Sequence, residues 1–299
     1  MSAASSTSTP APSPILVVGM NRSGTKWLSN ILCNHPDVFG AQLERHTGTL
    51  ETNLFGKMQD LLGDLESVEH FIAFVELWAQ TDFFKATGIE REFLYTRSER
   101  ARSMLDAFRS VMSEAAIRAD ARFWLQKTSP IEAVEVLPWF PNARVVTIQR
   151  ALVPTLESGS KLRRDRGEPD SLLKSAAVYG YEAKLIRRIQ RQYGAVHVDY
   201  GSLRREPASQ TQRICESIGL DFRPQMLEVP FAANTSFSGT PKRGERLASP
   251  RRDMVRAVEA LVGALPLALL TALRKRMRRR RALLVTGTFA EIADRYRLR

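Results

Sequence analysis

Short apolar runs rich in β-branched residues recur along the chain and predict the strands of a buried sheet. The run at 14–19 is continuously apolar and ends on a glycine, a pattern typical of parallel strands covered on both faces. Two further β-branched runs span residues 143–149 and 195–200. We therefore expect at least three strands in the core of the protein.

Helical patterns fill the stretches between these strands. Phe71, Phe74, Val75 and Trp78 lie at helical spacing and predict long helices within residues 50–119. Further helices are expected at 25–34 (ended by His35-Pro36), 171–193 (stopped by Gly194), 207–218 (stopped by Gly219), and from the cap-and-first-turn pair Ser249-Pro250 onward. Strands that alternate with helices predict a single α/β domain with a central, mostly parallel sheet flanked by helices.

The predicted domain occupies residues 14–245, between a tail and a C-terminal extension. The tail at 1–13 is rich in Ser, Thr and Pro and lacks the basic and apolar segments of a secretory signal. Residues 246–299 are expected to form helices that carry a basic run. These features predict a soluble, cytoplasmic protein.

Charge and composition narrow the classes of ligand. The 299 residues include 43% hydrophobic and 25% charged residues, as in ordinary globular proteins, and carry a net charge of +12. Seven positive charges lie in residues 274–281, so the rest of the chain is only modestly basic. An anionic ligand fits this balance and nucleic acid is not required. Two cysteines and four histidines argue against a disulfide scaffold and a zinc cage.

The C-terminal extension leaves two alternatives open. Its longest apolar run, 260–273, is interrupted by Pro266 and is shorter than the ~20 residues that span a bilayer. Followed by the basic run at 274–281, it could lie on an anionic membrane surface. The alternative is a helix that packs its apolar side on its own domain and leaves its charges in solvent.

A glycine-containing loop between the first strand and the first helix is the strongest local motif. It reads Gly19-Met20-Asn21-Arg22-Ser23-Gly24-Thr25-Lys26-Trp27, and a loop in this position directs backbone N–H groups and a helix N-terminus at one point. Nucleotide triphosphatases require Gly-Lys-Ser/Thr at its end, where the hydroxyl binds magnesium. Here Lys26 stands in that place, so we expect a site for phosphate without metal. A nucleotide or small-molecule kinase, or a triphosphatase, with Asp199 as the acidic metal partner, is the alternative.

A second anion site is predicted where the strand at 143–149 ends. Arg150 follows that strand, and Ser158 lies about two helical turns further on. Ligands of open α/β sheets bind beyond the carboxyl ends of the strands, so both side chains can hold one phosphate. Two separate phosphate sites imply a nucleotide that carries phosphate at two places.

These motifs resemble those of the sulfotransferases that use 3′-phosphoadenosine 5′-phosphosulfate (PAPS). Their phosphosulfate loop is similar to residues 21–27, their 3′-phosphate element to Arg150 and Ser158, their Tyr-x-x-Leu segment to 200–203, and their basic glycine loop to 242–244. The resemblance implies a P-loop-like nucleotide-binding fold, PAPS as co-substrate, adenosine 3′,5′-bisphosphate (PAP) as product, and no metal. It assigns nucleotide binding to Arg22, Ser23, Gly24, Thr25, Lys26, Trp27, Arg150, Ser158, Tyr200, Lys242, Arg243 and Gly244. Lys26 replaces the family's second threonine, and Asn21 its proline.

The resemblance also implies the catalytic groups. Arg22 and Lys26 are the cations nearest the transferred group, and Lys127 matches the family's Lys-Thr segment near the reaction centre. The branch with Lys-Thr-His uses the histidine as base, whereas here Ser129 holds that position and is no base. The carbohydrate and bacterial branch uses a glutamate after the first helix, a place held by Glu44.

Several assignments stay open at this point. His46 competes with Glu44 as the base, because the ordinary pKa of histidine suits proton transfer near neutrality. His35 and Glu51 are more distant candidates. Aromatic residues within 50–119 wall the acceptor pocket or simply form core: Phe71, Phe74, Trp78, Phe83 and Phe84. The expected acceptor is a small molecule or a carbohydrate, with a hydroxyl or amine that receives the sulfuryl group.

Overall fold

A five-stranded parallel sheet forms the centre of the protein. The computed structural model describes residues 11–42, 48–52, 54, 68–97, 103–228 and 247–281, with residues 97 and 275–281 described by their backbone alone. The strands are β1 (Ser13–Gly19), β2 (Val38–Gly40), β3 (Phe123–Thr128), β4 (Arg144–Gln149) and β5 (Val196–Asp199). Their order is β2-β3-β1-β4-β5, and every pairing between them is parallel. The predicted α/β class is therefore confirmed.

Helices cover both faces of this sheet because its strands are apolar on both sides. Along β1, Leu16 and Val18 enter one hydrophobic cluster, while Ile15 and Val17 enter another on the opposite face. The helices of the described residues are α1 (Thr25–Cys33), α2 (Val68–Ala79), α3 (Asp82–Lys85), α4 (Arg91–Arg97), α5 (Met104–Arg118), α6 (Pro130–Val136), α7 (Leu152–Asp165), α8 (Leu172–Tyr193), α9 (Tyr200–Arg205), α10 (Pro207–Ile218), α11 (Ser249–Ala264) and α12 (Leu267–Arg281).

Local signals placed most helix boundaries correctly. Gly194 and Gly219 end α8 and α10 in the left-handed conformation that favours glycine, with φ of 59° and 72°. Two details differ from the prediction. Ser249 is the first helical residue and Ala248 precedes it as the cap, without a side-chain hydrogen bond. Tyr200 belongs to α9 instead of β5, because the Asp199 side chain caps the new helix there.

The aromatic residues of 71–84 are core. Phe74 and Trp78 stack with ring centroids 5.4 Å apart, and Trp78 meets Phe84 edge-on at 5.0 Å. These rings are buried together with Phe108 and Trp124 against the side of the sheet that carries Leu16 and Val18. They therefore stabilise the domain as part of its core.

The C-terminal helices pack on α8. Val255 and Val262 of α11 are buried, and the bend at Leu265 is fastened by a hydrogen bond from the Lys184 ammonium to its carbonyl oxygen. Over the described ranges, no single helix is long and apolar enough to cross a membrane. One bent pair, α11 with the first eight residues of α12, passes by length and composition and is bent by 107°.

The topology opens a crevice at the carboxyl edge of the sheet. From β1 the chain crosses toward β2, on the side of β3, whereas from β4 it continues to β5 on the other side. The connections after β1 and β4 therefore diverge, which is where ligands of open α/β sheets bind. The glycine-containing loop follows β1, and Arg150 follows β4.

Candidate active site

The loop after β1 is shaped by two positions that exclude a side chain. A Cβ atom on Gly19 would lie 2.7 Å from the Ile148 carbonyl oxygen, so this glycine lets the loop pass against β4. Gly24 has φ of +99°, and a Cβ atom there would lie 2.4 Å from the Tyr200 ring. Arg22 has φ of 71°, an uncommon conformation for a residue with a side chain. The sequence thus forms a tight turn with strained backbone, as functional loops often do.

The turn delivers the N-terminus of α1 to the crevice. Gly24 precedes the first helical residue, Thr25, and provides no side-chain cap for it. The first N–H groups of a helix have no partner within the helix, so they attract anions. Ser23 is fully buried, and its hydroxyl donates to the Met20 carbonyl oxygen at 2.7 Å. In this state that hydroxyl holds the turn together, and its contact with a nucleotide stays a prediction.

The second predicted cluster is built on the end of β4. The Arg150 carbonyl oxygen accepts a hydrogen bond from the Tyr179 hydroxyl at 2.7 Å, which fixes the backbone there. The Arg150 guanidinium lies over the Tyr200 ring, 4.9 Å from its centroid. Tyr200 meets Trp27 edge-on at 6.1 Å. These contacts connect Arg150 to the loop after β1.

One hydrogen bond joins the two predicted phosphate sites directly. The Arg22 Nε atom donates to the Ser158 Oγ atom at 3.0 Å, although the residues are 136 positions apart in the chain. Ser158 lies on α7, so its hydroxyl faces the loop across the crevice. The two sites predicted separately therefore form one continuous surface.

Positive charges are concentrated on this surface. Burial lowers the pKa of Arg22 below its ordinary value, and repulsion from Arg150 and Arg166 lowers it further. Burial likewise lowers the pKa of Lys26, with added repulsion from Lys127 and Arg22. Arg166 follows α7 and was missed by sequence reasoning, which found no motif there. A polyanion would relieve the repulsion among these five cations.

Lys127 reaches the same centre from the end of β3. Its side chain is only 10% exposed, and its ammonium lies 3.4 Å from a carboxylate oxygen of Glu51. Ser129 caps α6, where its hydroxyl accepts from the Glu132 N–H at 3.3 Å. Glu51 is 53% exposed and is therefore a described carboxylate next to the cation cluster.

The structure describes only some of the other predicted candidates. Glu44 and His46 are outside the described residues, as are the three residues of the basic glycine loop: Lys242, Arg243 and Gly244. His35 is buried in the turn after α1, where its Nδ1 accepts from the Asp37 N–H at 3.1 Å. It is a structural residue of that turn.

The Asp199 side chain is hydrogen-bonded to the backbone at the start of α9. Its carboxylate accepts the Ser202 N–H at 2.8 Å and caps α9. Within the portion of the chain that the structure covers, no three His, Cys, Asp or Glu side chains come together as metal ligands. The capping of α9 accounts for Asp199 without the role of an acidic metal partner that the kinase alternative gave it.

Comparison with known proteins agrees with this geometry. The sulfotransferase domain of the olefin synthase from Synechococcus PCC 7002 has a similar fold, with a TM-score of 0.50 and 16% identity over 87% of this chain and 98% of that domain. The sulfotransferase domain from the curacin biosynthetic pathway gives the same TM-score and identity over 86% and 100%. No curated protein sequence matches this chain significantly. Residues 14–224, most of the sequence, match the sulfotransferase family. The chain therefore belongs to the sulfotransferase family and is a transferase with the P-loop-like α/β fold.

Proposed function

We propose that this protein transfers the sulfuryl group of PAPS to a hydroxyl or amine of a small-molecule or carbohydrate acceptor. The observation that carries the proposal is the hydrogen bond from Arg22 to Ser158, which joins the loop before the N-terminus of α1 to the second predicted anion site, with further cations acting on Arg22 and Lys26. Such a surface suits a ligand with several phosphate or sulfate groups. PAPS has a phosphosulfate at one end of the nucleoside and a phosphate at the other.

The two ends of the crevice suit the two ends of this nucleotide. The phosphosulfate is assigned to the loop at 21–27 and the N-terminus of α1, and the 3′-phosphate to Arg150 and Ser158. The hydrogen bond between Arg22 and Ser158 supports this assignment, since it brings both anion sites within reach of one nucleotide. The Trp27–Tyr200 pair offers aromatic faces against which a purine ring can pack.

Sulfuryl transfer at this site requires positioned charges more than covalent chemistry. The acceptor oxygen or nitrogen forms a bond to sulfur while the bond from sulfur to the 5′-phosphate oxygen breaks, and PAP leaves. Arg22, Lys26 and Lys127 are proposed to stabilise negative charge on the transferred group and the departing phosphate. Lys26 supplies a cation in the place where a metal-binding hydroxyl would stand, so the proposed transfer is metal-independent.

The acceptor proton is proposed to pass to a carboxylate. Glu44 is the favoured base by resemblance, and His46 is the second candidate. Glu51 has one observation of its own in favour, because it lies 3.4 Å from Lys127 at the edge of the cation cluster. Substitution of each residue separately distinguishes the three.

Binding and transfer experiments test the proposal. We expect PAP to bind the purified protein in calorimetry, and Arg22→Ala and Arg150→Ala each to weaken binding at least tenfold, since charge-assisted contacts contribute about 1.5–3 kcal/mol. Arg109→Ala is the matched control, because Arg109 pairs with Asp106 on the distant helix α5. Sulfate from labelled PAPS should reach an acceptor in the presence of excess chelator. Absence of PAP binding, or equal losses in all three variants, would refute the proposal.

A further inference from the structure

A cavity of about 380 Å³ lies between α7 and α8, next to the loop after β1. Its volume is within the range of ~300–1,000 Å³ that small-molecule sites occupy. Met20 and Arg22 of the loop form one part of the lining, and Leu156 and Gly159 of α7 form another. Nothing in the sequence motifs indicated this cavity, because its walls come from three separate segments.

The cavity adjoins the proposed donor site. Arg22 belongs both to the cavity lining and to the cation cluster. Tyr179 of α8 also lines the cavity, and its hydroxyl holds the Arg150 carbonyl oxygen on the donor side. A molecule in the cavity therefore lies beside a nucleotide bound at the loop. An acceptor in this cavity would contact Arg22, one of the cations proposed to act on the transferred group, whereas the aromatic residues of 71–84 are in the core.

A buried carboxyl group lines the same cavity. Glu182 lies one helical turn beyond Tyr179 on α8 and is only 9% exposed. Among the described residues it makes no hydrogen bond or ion pair. Burial raises its pKa to about 7, although Arg274 opposes the shift, and Glu132 adds to it. A buried carboxyl group without a hydrogen-bonding partner is costly, and a ligand can supply that partner.

The other charged residues nearby do not satisfy Glu182. Arg163 lines the cavity too, but its Nε atom donates to the Asp170 carboxylate at 2.7 Å. Arg163 is thus paired with Asp170, and Lys174 is exposed, while Arg274 of α12 acts on Glu182 electrostatically. The rest of the lining is partly apolar, with Leu156 and Val178 on facing helices.

We propose that this cavity binds the acceptor and that Glu182 accepts a hydrogen bond from an amino or hydroxyl group on it. The role of the ligand as an acceptor rests on the proposed function, whereas the kind of ligand follows from the residues that line the cavity. The fitting ligands are small molecules with an apolar body and a cationic or neutral donor group. Acids are disfavoured, because a carboxylate of the ligand would face Glu182, while the lining cations Arg22 and Arg163 are engaged with Ser158 and Asp170.

Three phenols with the same ring and different tails test the chemistry. Tyramine carries a cationic tail, 4-ethylphenol a neutral one and 4-hydroxyphenylacetate an anionic one. Their dissociation constants are measured by calorimetry on the full chain, with and without saturating PAP. We expect tyramine to bind at least tenfold more tightly than the acid. In Glu182→Gln this ratio should fall below threefold, whereas in Glu259→Gln it should be unchanged.

Glu259→Gln is the control for Glu182→Gln, and Gly159→Leu tests the cavity itself. Glu259 is a partly buried carboxylate of α11 whose pKa burial also raises, but it is not part of the cavity lining. Gly159→Leu adds a side chain on the cavity wall, where the atoms nearest to an added Cβ atom belong to the Arg163 guanidinium, at 3.5 Å. It should weaken the binding of tyramine and 4-ethylphenol at least tenfold. Thermal unfolding of the variant checks that it is folded.

The results test three claims separately: the role of Glu182, the cavity as the acceptor site, and the proposed function. Equal binding of the three phenols, binding of none, or a preference for tyramine that survives in Glu182→Gln would overturn the assignment to Glu182. Selective binding of tyramine without transfer of labelled sulfate from PAPS to it would overturn the cavity as the acceptor site. Failure of PAP to bind would refute the proposed function, while the titrations without nucleotide would still report on the cavity.

Discussion

Substitution of Gly24 by alanine tests how the loop after β1 keeps its conformation. Gly24 has φ of +99°, and the added Cβ atom would lie 2.4 Å from a carbon of the Tyr200 ring. The variant therefore combines an unfavourable backbone conformation with a collision against a packed aromatic residue. Gly88→Ala is the matched control, because Gly88 also has positive φ, +67°, but a Cβ atom there meets nothing within 4 Å.

The two variants separate the backbone cost from the steric cost. An alanine in the left-handed region costs about 1–2 kcal/mol, which both variants bear. Overpacking against a fixed neighbour adds about 1–3 kcal/mol at Gly24 alone. In a protein of this size 1 kcal/mol corresponds to roughly 2 °C in Tm, so Gly24→Ala should melt several degrees below Gly88→Ala.

Urea unfolding and PAP calorimetry measure both consequences. Gly24→Ala should lose at least tenfold in PAP affinity, because Tyr200 supports the Arg150 guanidinium and cannot move without disturbing it. Gly88→Ala should bind PAP normally. In the double variant with Tyr200→Ala the steric part should vanish, with a coupling energy of about 1–3 kcal/mol. Equal stability of the two glycine variants, together with unchanged PAP affinity, would refute this account of the loop.

Three further substitutions follow from the site and its surroundings. Glu44→Gln should lower turnover at least ~100-fold with PAP affinity preserved. Normal turnover in this variant would indicate that His46 or Glu51 is the base, and the turnover of their own variants would distinguish these two. Glu182→Gln should unfold in urea at pH 8 with a free energy up to about 3 kcal/mol higher than that of the wild type, and at pH 5 the two proteins should be nearly equal. Burial raises the Glu182 pKa to about 7, so the wild-type protein loses stability as the pH rises from about 4.5 to 7. An equal difference at both pH values would contradict this. Glutamine substitutions of the four arginines at 278–281 should leave sulfate transfer within about twofold and abolish binding to phosphatidylserine vesicles, which salt should also weaken. Vesicles that bind both proteins equally would exclude this run as a membrane contact.

The sequence patterns predicted the strands whose composition is regular and missed those whose composition is not. β1, β4 and β5 are β-branched runs, so their periodicity and bounding residues were sufficient. β3 is buried along its whole length yet contains Gln126 and Lys127, which resemble a polar loop in sequence. Lys127 tolerates that burial because Glu51 and the crevice receive its ammonium. β2 has three residues, too few for any pattern.

The candidate site was predictable where a local motif carried the chemistry. The loop after β1 and Arg150 stand at strand ends, so sequence order alone placed them at one edge of the sheet. The pairing of Arg22 with Ser158 and the approach of Arg166 depend on how α7 lies across the crevice, which no local pattern encodes. No local pattern singles out Glu182, because the cavity beside it arises only from the packing of α7 against α8.

The concentration of cations at the crevice bears on how a catalytic cycle would end. With PAPS as the donor, as proposed, sulfuryl transfer would remove the sulfur from the nucleotide and leave both of its phosphates in place, so spent and fresh nucleotide would offer nearly the same anions to Arg22 and Arg150. An enzyme that holds its donor chiefly through those anions also retains the by-product. Departure of the used nucleotide would then set the pace of turnover, and the protein would work best alongside a phosphatase that destroys what it releases.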